Sequence, residues 1–386
     1  MKVVYLDNNA TTRMADEVRE AMLPYLTDLY GNPSSMHTFG GQVHRSIETS
    51  REQVASLINA EPDEIIFTSC GTESDNTALM SALLSRPDKR HIITTRVEHP
   101  AVLNFCKAMG RRGYRVTYLS VNKLGRLDLD ELDEALDDDT AIVSVMHANN
   151  ESGVIFPIRN IAERARSRGV PFHTDAVQTA GKIPVDVSDL NCDMMSLSGH
   201  KMHAAKGVAA LYIRRGTRFA PYIIGGHQEK GRRGGTENVA SIAGFGTASE
   251  LARNHVASGD DAVRQLRDRL QQGLLDTCPG ALVNGDPLNR IPNTLNISFE
   301  YVEGEAILLR LNEYNICASS GSACTSGSLE PSHVLRSMGV PFTAIHGSVR
   351  FSLSRYTGED EIEFVLEKMP PVIRDLRELS PYVKEI

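Results

Sequence analysis

The chain has 386 residues, 41% of them hydrophobic and 23% charged, with no tryptophan and a formal net charge of -8. That length accommodates two or three domains with cores of their own. The acidic balance argues against a nucleic-acid or anionic-membrane surface, and no apolar run approaches the roughly 18 residues that cross a bilayer.

The N-terminal MKVVYLDNNATT has only a short apolar run before Asp7, which fits neither a signal peptide nor an anchor. Cysteines 70, 106, 192, 278, 317 and 324 form no CxxC pair or zinc-ligand spacing, so free thiols in a reducing cytoplasm are the expectation. From residue 64 to about 213, short apolar runs alternate with helical-period segments, the pattern of a mostly parallel sheet with helices on its faces. Strands are expected at 64–68, 92–95, 116–119, 141–146, 171–174, 193–197 and 208–213, with helices at 72–84, 101–110, 129–136 and 158–168. A second region carries a helix at 263–275, strands at 293–299 and 349–353, and a charged helix over 360–379 that Pro370 and Pro371 should break or kink. The small polar ASGD stretch suggests a boundary near 256–260. The expected division is a large domain of residues 15–257 and a smaller α+β domain of residues 1–14 and 258–386.

Sheets of this type bind ligands beyond the carboxyl ends of their strands, where the notable polar residues fall. SCGTESDN, residues 69–76, joins a strand to a helix. Its free N–H groups and Gly71 suit a phosphate, although Thr72 could simply cap the helix with Asp75 completing a capping box. HTDAVQ places Asp175 directly after a buried run, where a carboxylate needs a cationic partner. A protonated pyridine nitrogen would serve; His173 and Asp175 as a metal pair is the alternative, without a third ligand at a telling spacing.

Asn150 in HANNESG and Gln178 in HTDAVQ offer amides to a ring oxygen, and His99 in VEHPAV could lie on a planar ring, shuttle protons or be structural. DMMSLSGHK reads as a strand delivering Lys201 into the interior, where lost hydration makes an amine a carbonyl-trapping nucleophile. Lys206 is an equal candidate by composition. Last, CASSGSACTSG sets Cys324 in a loop of small residues, which suits a thiol that must enter a site and leave it, or is a turn that happens to hold cysteine.

Together with YLDNNATT, GNPSSMH, GGHQEKGRRGGTEN, PNTLNISF and GSVRFSLSRYT, these motifs run over nearly the whole chain. In this order they resemble the cysteine desulfurases of NifS type, fold type I pyridoxal-phosphate enzymes of the class-V aminotransferase family. The resemblance implies a mostly parallel seven-stranded sheet in the large domain. It implies that Lys201 attaches pyridoxal 5'-phosphate covalently, Asp175 pairs with the ring nitrogen, Gln178 and Asn150 flank the ring oxygen, and His99 stacks on the ring. Gly71, Thr72, Ser198 and His200 would hold the phosphate, with Thr236 reaching over from a second subunit of a homodimer. Arg350 would bind the carboxylate of L-cysteine, assisted by Asn8, and Asn150 would also face the substrate.

Cys324 would accept the sulfur as a persulfide, leaving L-alanine, and pass it to an iron-sulfur scaffold or other acceptor, nitrogenase assembly being the favoured destination. No intrinsic metal site is implied, although Cys324 could contact metal during iron-sulfur transfer. The alternative within the family is a lyase for selenocysteine or cysteine sulfinate. Cys70, Ala205 and Cys317 depart from the commoner family pattern, and Cys317 is expected as a buried small hydrophobe.

Overall fold

The computed structural model describes residues 2–320 and 331–380, so Cys324 lies outside the described residues. Twelve strands are described: β1 Val4–Tyr5, β2 Ile65–Thr68, β3 His91–Thr95, β4 Arg115–Leu119, β5 Thr140–Ser144, β6 Phe172–Asp175, β7 Met194–Ser198, β8 Ala209–Ile213, β9 Ala281–Val283, β10 Thr294–Phe299, β11 Ile316–Cys317 and β12 Ser348–Ser352. Seven form one sheet in the order β2-β8-β7-β6-β5-β3-β4. All its neighbours pair in parallel except β8, which runs against both β2 and β7.

Alternation along these strands sends successive side chains to opposite faces. Ile65, Phe67, Met195 and Leu197 join one apolar core with Ile47, Ile161, Phe245 and Ala248, from helices Thr38–Leu57, Ile158–Ser167 and Val239–Ala257. Ile66, Met194 and Leu211 join the opposite core with Leu79, Leu83, Val102 and Phe105 of helices Gly71–Ser85 and Pro100–Arg111. Both faces of the sheet are therefore covered, as its near-continuous apolar strands require.

A third core surrounds the antiparallel sheet β12-β10-β9. Helices Ala262–Thr277, Gly304–Glu313 and Glu359–Leu379 supply it with Leu270, Leu274, Ile307, Leu311, Val365 and Met369. Val4 and Leu6 are buried in the same core, because β1 pairs in parallel with β11 and the Leu6 N–H donates to the Cys317 carbonyl at 2.9 Å.

Two expectations are corrected. The last helix runs unbroken through Pro370 and Pro371. Its buried stripe of Ile362, Val365, Met369, Val372 and Ile373 continues across the prolines, and burying aliphatic side chains at about 1.5–3 kcal/mol each offsets the roughly 3 kcal/mol that a helix-interior proline costs. Cys317 is only partly buried, because its strand belongs to a two-stranded pair rather than a sheet interior.

Candidate active site

Because β2, β3, β5, β6 and β7 run the same way, their carboxyl ends lie along one edge of the sheet. The segments leaving that edge carry Cys70 and Gly71, Glu98 and His99, His147 to Asn150, Asp175 to Gln178, and the 3-10 turn Gly199–Lys201. The N-terminal segment Asp7 to Thr12 lies against them. Lys201 Nζ donates to the carbonyls of Asn9, at 2.5 Å, and Ala10, at 2.8 Å. Gln178 Nε2 donates to the same Asn9 carbonyl at 3.1 Å, and Asn9 Nδ2 donates to the Asn150 carbonyl at 3.2 Å. Lys206 is exposed, so the structure separates the two lysines that composition could not.

Asp175 ends β6 in the interior. It accepts from the Val177 N–H at 2.9 Å, yet burial raises its pKa to about 6, with that N–H and the Lys201 ammonium acting in the opposite direction. Asp75 is also buried; its Oδ1 has no hydrogen-bond partner, and burial together with Asp175 holds its pKa far above the usual range. His173 uses both ring nitrogens on hydroxyls, Ser144 Oγ at 2.8 Å and Ser196 Oγ at 2.9 Å, which leaves neither for a metal shared with Asp175. Burial lowers its pKa to about 3, so the ring is neutral.

His99 caps helix Pro100–Arg111, its Nδ1 accepting from the Ala101 N–H at 3.2 Å. Burial, then Lys201 and His333, lower its pKa to about 4, and the neutral ring is available for stacking. Glu98 beside it is buried and accepts from the Thr95 hydroxyl and the Met146 N–H; burial pushes it up to about 8. His200 Nδ1 pairs with Thr11 Oγ1 at 3.1 Å, and burial followed by the neighbouring lysines lowers it to about 4.

Arg350 on β12 is buried. Its Nη2 donates to Asp7 Oδ1 at 2.8 Å and its Nη1 to the Asn150 carbonyl at 3.1 Å, while Nε is buried without a partner among the described residues. Asn8 is occupied structurally, donating through Nδ2 to the carbonyls of Tyr5 and Ser352.

Three features fit pyridoxal phosphate. Ser198 Oγ is buried without a hydrogen-bond partner among the described residues, beside the N-terminus of helix Gly71–Ser85. A Cβ on Gly71 would stand 3.1 Å from Val177 Cγ2 and 3.6 Å from Ser198 Cβ, so glycine keeps this cradle open. The buried Asp175 carboxyl requires a cation, which a protonated ring nitrogen would supply. The unpaired Arg350 Nε similarly leaves a donor for a carboxylate.

Thr72 is exposed in the first turn of its helix and is not the cap: Cys70 occupies that position without a side-chain bond, and the buried Asp75 turns inward rather than completing a capping box. Thr236 is exposed and lines a recess with Thr68, Ser69 and Arg233. Sequence reasoning passed over Asn9, Glu98 and Lys182. Lys182 Nζ donates to Gln178 Oε1 at 2.9 Å and Asn9 Oδ1 at 3.2 Å, so it fixes both amides. The available signals were the doubled amide in DNN and the lysine four residues after Gln178.

The model of the aminotransferase class-V family matches residues 4–365. The chain belongs to this family. A cysteine desulfurase of Trichormus azollae is 61% identical over 99% of this chain and 96% of its own length. The cysteine desulfurase NifS of Azotobacter vinelandii is 57% identical over 99% and 95%. Among solved structures, a NifS-like protein superposes with a TM-score of 0.91 at 38% identity, covering 97% of this chain and 100% of its own. The NifS-type resemblance carried by the motifs thus holds along the family member's whole length, and the neighbour shares its α/β architecture.

Proposed function

We propose that this class-V family member is a pyridoxal-phosphate-dependent cysteine desulfurase that removes sulfur from L-cysteine, leaving L-alanine and a persulfide on Cys324. The observation that carries the reading is the convergence of Lys201, Asp175, Gln178 and Arg350 around the Asn9–Asn150 contact, together with relatives of that name at 57–61% identity. When bound, pyridoxal phosphate supplies the electron sink for chemistry at the substrate Cα.

The residues divide the remaining work. Gly71, Thr72, Ser198 and His200 hold the phosphate, Asp175 pairs with the ring nitrogen, Gln178 and Asn150 flank the ring oxygen, and His99 covers the ring. Arg350 orients the substrate carboxylate, with Asn8 fixing the neighbouring segment. Lys201 Nζ would attach the cofactor, and as a free amine beside the substrate Cα it would take the Cα proton. The Cys324 thiolate then attacks the substrate sulfur: an S–S bond forms, the Cβ–S bond breaks with its electron pair on the carbon side, and protonation completes alanine.

The division into a domain of residues 15–257 and one of 1–14 with 258–386 is supported by the separate apolar cores and by the burial of Val4 and Leu6 in the later one. We assign a homodimer in which Thr236 completes the partner's site, a cytoplasmic location, and an iron-sulfur scaffold as sulfur acceptor. The NifS name of the Azotobacter relative favours nitrogenase assembly. Among the described residues no helix is long and apolar enough to cross a membrane.

The deciding experiment incubates purified enzyme with L-cysteine and measures alanine and protein-bound persulfide. Equal formation of both at first turnover, lost in Lys201→Ala along with the cofactor absorbance, is the expected result. Alanine formation without any persulfide would instead support a lyase.

A further inference from the structure

A cavity of about 230 Å³ lies between the sheet-bearing part and the later core. Lys182 and Lys201 line it from one side, Arg355 and Asn293 from the other, and His255 closes it at the end of helix Val239–Ala257. Lys201 and Asn8 belong to its lining, whereas His99, Asp175, Ser198 and Arg350 do not, so the cavity adjoins the cofactor site without coinciding with it.

Arg355 is its unusual member. It is partly buried, takes part in no ion pair or hydrogen bond among the described residues, and its Nη2 is buried without a partner. Its guanidinium contacts the Tyr356 ring, 5.1 Å from the centroid. A buried guanidinium nitrogen without an acceptor is costly, and the cavity that Arg355 lines has room for an ion with residual water.

Lys182, Lys201 and Arg264 add basic groups to the lining, and Asp260 and Asp261 stand on the rim. His203 sits edge-on to Tyr356 at 4.9 Å and is held in the left-handed region at φ 69°, with Nδ1 paired to the Arg13 carbonyl at 2.8 Å. Burial and then Arg355 lower the pKa of both His203 and His255, which favours the neutral form of each ring. Of the two carboxylates on the rim, Asp261 is paired with Arg264 at 3.2 Å, and Asp260 uses Oδ1 to accept the Ala262 N–H at 2.9 Å. Neither has an ion pair with Arg355.

We propose that this cavity is a binding site for a small oxyanion, a phosphate or a short carboxylate, held by Arg355 and facing Lys182. The planar guanidinium suits either class through two parallel N–H bonds. Such an ion bridges the two cores, because Arg355 follows β12 and Lys182 follows the β6 end. Binding therefore ties the later core to the sheet and stabilises their closed arrangement.

The test uses the cofactor-loaded enzyme, whose own phosphate site is filled. Inorganic phosphate and succinate are titrated separately by calorimetry, against sodium chloride at matched ionic strength. Saturable binding of either probe, one per chain, weakened at least tenfold in Arg355→Gln with unchanged cofactor absorbance, is expected. If Arg355→Gln does not fold, His255→Glu places a negative charge at the cavity mouth and should weaken binding similarly. Absence of saturable binding of both probes, or the same affinity in the folded variants, overturns the site. This readout is binding alone, so it succeeds or fails independently of the desulfurase reading.

Discussion

The buried Arg350 and the partly exposed Asp7 form an ion pair, Nη2 to Oδ1 at 2.8 Å, between β12 and the segment that follows β1. The pair orients the guanidinium so that Nε stays unbonded while Nη1 reaches the Asn150 carbonyl. Removing Asp7 leaves the buried Arg350 charge without its carboxylate. Asp7→Ala is expected to lower stability by about 1–3 kcal/mol, measured by urea unfolding. Asp7→Asn should raise the KM for L-cysteine about tenfold, or ~1.4 kcal/mol. An unchanged KM in Asp7→Asn would show that Arg350 needs no such orientation.

Arg350→Ala should reduce kcat/KM for L-cysteine by about 10- to 150-fold, corresponding to the loss of a charged hydrogen bond of ~1.5–3 kcal/mol. The cofactor absorbance should be unaffected, because Arg350 is assigned to the substrate alone. Steady-state kinetics with unaltered kcat/KM would remove the carboxylate role.

Gly71→Ala puts a methyl group 3.1 Å from Val177 Cγ2, in the phosphate cradle. We expect about tenfold weaker retention of pyridoxal phosphate, ~1.4 kcal/mol, with activity recovered at excess cofactor. Equilibrium dialysis giving wild-type affinity would place the phosphate elsewhere.

His173 provides a pH test. Its pKa is about 3 in the folded chain, against about 6.5 when exposed on unfolding. Between those values only the unfolded chain carries the extra proton, so stability present above pH 6.5 is lost as pH falls, at up to ~1.4 kcal/mol per unit. Glu98, raised to about 8, works oppositely: its folded form keeps a proton from about pH 8 downwards and favours the fold as the solution is acidified. His173→Asn should therefore lose about 2–3 kcal/mol less than the unaltered chain between pH 6.5 and 4.5. Parallel stability curves would contradict a buried neutral imidazole.

Cys324→Ala should retain cofactor absorbance and substrate binding while sulfide release under reductant falls at least 100-fold. Wild-type turnover in this variant would assign sulfur acceptance to another group.

The sheet was readable because each strand is a short apolar run bounded by turn residues, as in IIFT of β2 and MMSLS of β7. Its antiparallel strand was not, since β8 has the same apolar character as its neighbours and direction is set by connectivity. Helix Val239–Ala257 also escaped notice. Its glycines lower intrinsic helicity, yet a Cβ at Gly246 would come 2.7 Å from Ser50 Cα, so small residues permit close approach of helix Thr38–Leu57. At the site, Lys201 and Asp175 stood out by following apolar runs. Asn9, Glu98 and Lys182 did not, because their roles depend on distant partners that only the folded chain supplies, such as Met146, 48 residues from Glu98, and the Lys182–Asn9 contact, 173 residues apart.

The β1–β11 pairing sets an order of events during synthesis. Tyr5 faces Cys317 and Asn8 is fastened to Ser352, so this early segment finds these partners only after more than 300 further residues have been made. Closing so long a loop is entropically slow, and until it closes Asn9 has no fixed place against Lys201 and Gln178. A partly synthesised chain can thus assemble the parallel sheet while lacking the wall of its catalytic pocket. Arrival of β11 and β12, rather than formation of the sheet, is the step that makes the site.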